Sequence, residues 1–227
     1  MKKALSIMCA AGFASLAVAG GGTDGSVLFN GTAPFGGNNG GGEFDMSSIA
    51  GPNLFGSFQT FCVELNESLS PGATYNFDIA NAAVNGGVGG GNPDPLDART
   101  AALYEAFWSG TLANYDFDND GDGGQSGNLN RKRSAEALQA AIWELEDERM
   151  IENTTGDQDV RDLANYYVDT LAQQLANAGL GERVRILNMY RADSGAPSQD
   201  VLVLVPLPQA GALAGLGLAG LAIRRRR

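Results

Sequence analysis

The chain has 227 residues, 15 basic against 26 acidic, a formal net charge of −11 and no histidine. Six of the bases sit at the two ends, in Lys2, Lys3 and Arg224 to Arg227, so the stretch between them is more acidic still and repels nucleic acid and anionic lipid. Without histidine, Cys-His and Ser-His-Asp catalysis and His-ligated zinc are excluded, and no pair of acids stands out for hydrolysis; the expectation is a protein that is not an enzyme.

In chain order, Lys2 and Lys3 precede an apolar stretch over 4–19 that closes on Ala17-Val18-Ala19. A charged start, an apolar middle and a small-residue cut site predict a secretory signal peptide, residues 1–19. Cys9 leaves with it, and Cys62 is then a lone thiol in an exported protein. It is an idle buried hydrophobe, a dimer bridge or a group with chemistry of its own.

Glycine- and asparagine-rich segments over 36–42 and 85–92 predict loops, because glycine this dense loses too much entropy in regular structure. Short β-like runs lie at 26–30, 58–65 and 75–79. A helical middle follows, about 95–179. Asp94-Pro95-Leu96-Asp97 offers an N-cap acid and a proline at the first helical position for a helix ending near Ser109. Ser134 is the expected cap of the next, with Leu138, Ala141, Ile142 and Leu145 as its apolar stripe. Asp157 caps a third, with Val160, Leu163, Ala164, Tyr167, Leu171 and Leu175 facing inward and Gly179 past its end. Strands over 183–192 and 199–205 close the body. The predicted class is α+β: an antiparallel β-sandwich or barrel-like body over 20–205 with an inserted helical subdomain.

The chain finishes with Val205-Pro206-Leu207-Pro208, a Gly/Ala/Leu run and four arginines. Residues 206–223 would span about 27 Å as a helix, close to the roughly 30 Å of a hydrocarbon core, with the arginines on the cytoplasmic side. This ordered trio resembles the PEP-CTERM sorting signal of Gram-negative bacteria in its VPLPA-type variant, with Gln209 where that variant has alanine. The resemblance implies that 206–227 is a sorting signal with a transmembrane helix, read by an exosortase. It also implies transient anchoring in the inner membrane and delivery to the cell surface or extracellular matrix.

Three segments of the body carry the candidate chemistry. Alternation in 58–65 places Thr60, Cys62 and Glu64 on one face and Phe61, Val63 and Leu65 on the other, so Cys62 is expected on the more polar side. Gln139 and Trp143 lie one helical turn apart. Gln199-Asp200 opens the last apolar run. In this order, Phe61-Cys62-Val63-Glu64, Gln139 through Trp143 and Gln199-Asp200-Val201-Leu202 resemble the motifs of bacterial thioester domains. Leu138, Glu144 and Ser198 depart from the family's pattern. The resemblance implies a thioester between Cys62 and Gln199, supported by Phe61, Gln139 and Trp143, that surface amines or other nucleophiles on a protein or glycan open to form a covalent attachment. A bond from Cys62 to Gln139 and an inert Cys62 are the alternatives. Shielding from water would fall to Phe61 and Trp143, and only Lys132 lies between the ends as an internal amine.

A further motif, Asp116-Phe117-Asp118-Asn119-Asp120-Gly121-Asp122, begins like a calcium loop, with acids at positions one, three and five and a carbonyl at seven from Asp122. The twelfth position is Gly127 rather than a bidentate glutamate, so Ca2+ is a possible ligand and no cofactor is required. Two functions follow as expectations: a covalent adhesin or biofilm-matrix protein, or a non-covalent structural, calcium- or carbohydrate-associated matrix protein with an inert cysteine.

Overall fold

The computed structural model describes residues 22–36, 41–51, 56–84 and 87–206, with the side chains of 33–36 excepted. The segments read above as a signal peptide, 1–19, and a sorting tail, 206–227, lie outside the described residues except for residue 206. Among the described residues, no helix is long and apolar enough to cross a membrane.

The body is one antiparallel sheet of six strands in the order β3-β2-β1-β4-β7-β8. These are β1 (Gly25–Gly36), β2 (Gly42–Ala50), β3 (Ser57–Thr60), β4 (Thr74–Ala80), β7 (Val184–Arg191) and β8 (Pro197–Leu204). A two-stranded ribbon pairs β5 (Ala82–Ala83) with β6 (Asp94–Pro95). The six-stranded sheet curls until its outer strands meet. Past β3 the chain runs beside β8: Val63 N–H donates to the Asp200 carbonyl at 3.0 Å, Leu202 N–H donates to the Phe61 carbonyl at 3.2 Å, and Cys62 bridges Val201. Backbone groups at the open edge of β8 are thereby paired over 200–202, which closes the sheet at this point as a barrel does.

Both faces of β8 are buried, which accounts for its unbroken apolar run. Val201 and Val203 turn into a cluster inside the curled sheet with Val27, Phe29, Phe44, Met46, Tyr75 and Phe77. Leu202 and Leu204 turn outward into a second core shared with the helices, where Leu103, Leu138, Ile142 and Leu163 pack. The α+β class and antiparallel body expected from the sequence are present.

Between β6 and β7 come α1 (Ala98–Trp108), α2 (Arg131–Leu145), α3 (Ile151–Thr154), α4 (Gln158–Tyr166), a π-turn (Tyr167–Leu171) and α5 (Ala172–Asn177). Two expected caps are corrected. The N-cap of α1 is Asp97, whose carboxylate accepts from Arg99 N–H; Asp94 instead pairs with Ala83 in the ribbon. The cap of α2 is Asn130, and Ser134, buried in the first turn, accepts from Asp116 N–H. In both cases several capping residues stand within one turn, and tertiary contacts select among them. Asp157 caps α4 as expected. The glycine-rich stretch read as a loop over 36–42 includes the end of β1 and the start of β2, a strand the sequence did not announce.

Candidate functional site

Cys62 lies two residues past the end of β3 and is a free, buried cysteine at 2 % exposure. The expected polar surrounding is corrected: alternation does separate Cys62 from Phe61 and Val63, but its face is the apolar interior of the curled sheet, among Phe58, Trp143, Val201 and Val203. Closing the sheet turned what reads as a polar face inward. Burial pushes the Cys62 thiol well above the usual thiol range, so it is held protonated.

The polar groups that reach Cys62 come from α2. Gln139, 2 % exposed, accepts from Cys62 N–H at 3.1 Å and donates its Nε2 to the Cys62 carbonyl at 2.9 Å. Its Oε1 also accepts from Gly42 N–H at 3.3 Å and lies 3.3 Å from Cys62 Sγ. The carboxamide therefore holds the cysteine's peptide by both ends. The close approach depends on Gly41, where a β-carbon would collide with Gln139 Cγ and meet Trp143 Cη2 at 2.9 Å. One polar side chain thus takes the place of a strand at Cys62, and the helix that carries it is tied down at its start. There Arg131 pairs with fully buried Glu43 of β2 at 2.7 Å and donates to Gln59 at 3.1 Å.

Gln199, on β8, is 3 % exposed and donates Nε2 to the Glu64 carbonyl at 2.8 Å and to the Asp200 carbonyl at 3.2 Å. With Cys62 opposite Val201 in antiparallel register, Gln199 is its diagonal neighbour on the same face, a relation within reach of long side chains. Cys62 and Gln199 line one cavity of about 340 Å³ together with Phe29, Phe44, Leu65, Glu67 and Trp143. Trp143 thus borders the cavity. Phe61 does not: it points into the helical core and meets Phe107 edge-on at 5.0 Å. The apolar residues that line the cavity in its place are Phe29, Phe44 and Leu65.

Two groups of acids converge. Asp116, Asp118, Asp120 and Asp122 offer carboxylate oxygens all within 4.8 Å of one another. Buried Asp116 already accepts from the N–H groups of Asn119 and Gly121, so the loop closes on its own carboxylate, while the other three acids are exposed. The second group, Glu64, Glu67 and Asp200, was not singled out by the sequence, and its Glu67 lines the Cys62 cavity. Burial, then the nearby Asp200 charge, pushes Glu64 up to about 10. The signal for it lay in two polar positions, Glu64 and Asp200, each next to an apolar run in segments that pair. Nothing local announced the third, Glu67.

No protein-family model matches the chain, and the search of curated proteins returned no match. Among solved structures the chain is similar to the N-terminal thioester domain of fibronectin-binding protein SfbI from Streptococcus pyogenes, with 12 % identity and a TM-score of 0.47 over 84 % of this chain and 100 % of that one.

Proposed function

We propose that this is an exported surface or matrix protein whose Cys62 and Gln199 condense into an internal thioester for covalent attachment. The observation that carries the reading is the shared cavity: a buried thiol and a buried carboxamide on paired segments face one space, beside a glutamine that fixes the cysteine's backbone. Sγ attacks the Gln199 carboxamide carbon, the C–S bond forms, the C–N bond breaks, and ammonia leaves with the thiol proton. An incoming amine then forms an amide at the same carbon and returns the thiol to Cys62. No turnover is involved, so the protein acts once and is not an enzyme.

Gln199 is favoured over Gln139 as the acyl donor for two reasons. Gln199 lines the cavity through which a nucleophile would enter, whereas Gln139 is packed under β2 and its amide nitrogen is needed to hold the Cys62 carbonyl. The apolar wall keeps water from the bond until a partner arrives. The partner is an amine or other nucleophile on a surface protein or glycan. Export by the leader at 1–19, and exosortase processing with transient inner-membrane anchoring through 206–227, complete the proposal and set its location at a Gram-negative cell surface or matrix.

The alternative is a non-covalent matrix protein with an inert cysteine and Ca2+ in the Asp116–Asp122 loop. Its support is the deep burial of a thiol held protonated and the convergence of the four aspartates. Methylamine labelling followed by peptide mapping separates the two. A modified Gln199 that is lost in both Cys62→Ala and Gln199→Ala supports the thioester. A modified Gln139 moves the bond to α2, and the absence of label in the wild type favours the inert reading.

A further inference from the structure

Glu64 is 2 % exposed, and its Oε2, like that of Glu67, is a buried atom that receives no donor from the rest of the protein; the two carboxyl groups meet each other through a shared proton. A buried oxygen of this kind costs about 1–3 kcal/mol, more for a charged group, unless something satisfies it. The two glutamates and Asp200 bring one carboxylate oxygen each to within 4.8 Å of the others. Ca2+ holds its oxygens at about 2.3–2.6 Å, so ligands across the ion stand roughly 5 Å apart. Three oxygens inside 4.8 Å therefore fit around one such ion. Entry is available, since half-buried Glu67 lines the Cys62 cavity.

We infer that Glu64, Glu67 and Asp200 bind one Ca2+-like divalent cation at the wall of the Cys62–Gln199 cavity. Water and second carboxylate oxygens complete its shell, as is common for Ca2+. Asp200 Oδ1 stays fixed by accepting from Met189 N–H at 2.9 Å, which orients the carboxyl group in advance. The cation has a mechanical consequence. Glu64 stands two residues from Cys62 and accepts Gln199 Nε2 on its carbonyl, and Asp200 is the residue after Gln199. One ion therefore staples together the two segments that carry the sulfur and the carboxamide. This binding does not require the thioester, and it is separate from the exposed Asp116–Asp122 loop.

The test is calorimetric titration of the full chain with Ca2+ at neutral pH, with thermal melting in millimolar Ca2+ and in chelator. All variants carry Cys62→Ala so that the covalent chemistry does not enter. The expected result is one Ca2+ per chain that persists in D118N/D120N and is lost in E67Q, with a rise in the melting midpoint of about 5 °C on binding. Calcium uptake that vanishes in D118N/D120N, uptake unchanged in E67Q, or no uptake at all overturns the inference. Should E67Q not fold, the D118N/D120N chain alone decides: uptake supports the site and its absence rejects it.

Discussion

The carboxamide of Gln139 holds the peptide of Cys62 from both sides, accepting from its N–H at 3.1 Å and donating to its carbonyl at 2.9 Å. This is the bond pattern one strand offers another, delivered by a helix. Replacing Gln139 by Ala takes the partner from both backbone groups of Cys62, removes an acceptor of Gly42 N–H and opens a small void. The expected cost is about 3 kcal/mol in urea unfolding, with loss of amine labelling at Gln199. Unchanged labelling in a folded Gln139→Ala chain would show that the grip is not needed for the chemistry.

Gly41 sets how close β2 comes to α2. A methyl group there collides with Gln139 and Trp143, so Gly41→Ala is expected to destabilise by about 1–3 kcal/mol through overpacking. The displaced glutamine also slows methylamine incorporation. Labelling kinetics beside a urea curve measure both effects.

Trp143 borders the cavity, and its Nε1 is buried without a hydrogen-bond partner. In Trp143→Phe the loss of packing is offset in part by removal of that unsatisfied donor, so stability changes by only about 1 kcal/mol. If the proposed thioester forms, water then gains access to it. Spontaneous hydrolysis, followed as the appearance of free thiol, is expected to quicken.

Arg131 and buried Glu43 form the ion pair that anchors α2 to β2. Arg131→Met leaves the Glu43 carboxylate without its cation and is expected to cost about 3–5 kcal/mol. Converting the pair together to Met and Leu restores most of that loss, which a double-mutant cycle in urea reads directly.

Much of this arrangement is legible before folding is considered. The order of Cys62, Gln139, Trp143 and Gln199 along the chain, the apolar run of β8 and the helical stripe of α2 follow from residue type and period. What is not legible depends on closure. Cys62 reads as lying on a polar face because Thr60 and Glu64 flank it, yet curling the sheet puts that face inside. Strand β2 is hidden because Glu43, Asp45, Ser47 and Ser48 have little β preference and owe their places to pairing with β1 and β3. Glu148, which accepts from the N–H groups of Leu65, Val88 and Gly89 and so ties down a glycine-rich loop, reads as one more surface acid.

Glu146, 4 % exposed, accepts from Asp97 N–H, and burial raises it from an ordinary carboxyl value to about 7. A carboxyl group raised in the folded state contributes stability that is full below its unfolded pKa of about 4.5 and is lost as pH climbs through 7. The wild type should therefore lose about 3 kcal/mol between those values from this group. Glu146→Gln keeps the acceptor without the charge, and its urea midpoint should fall less over the same interval. Parallel pH profiles for the two proteins would contradict the assignment.

The most direct measurement is the intact mass of the folded body, compared with that of Cys62→Ala. Closure of the thioester predicts a wild-type mass short by one ammonia, a full mass in Cys62→Ala, and recovery as the methylamide when the wild type is treated with methylamine. A wild type at full mass, with a thiol that titrates after unfolding, contradicts it.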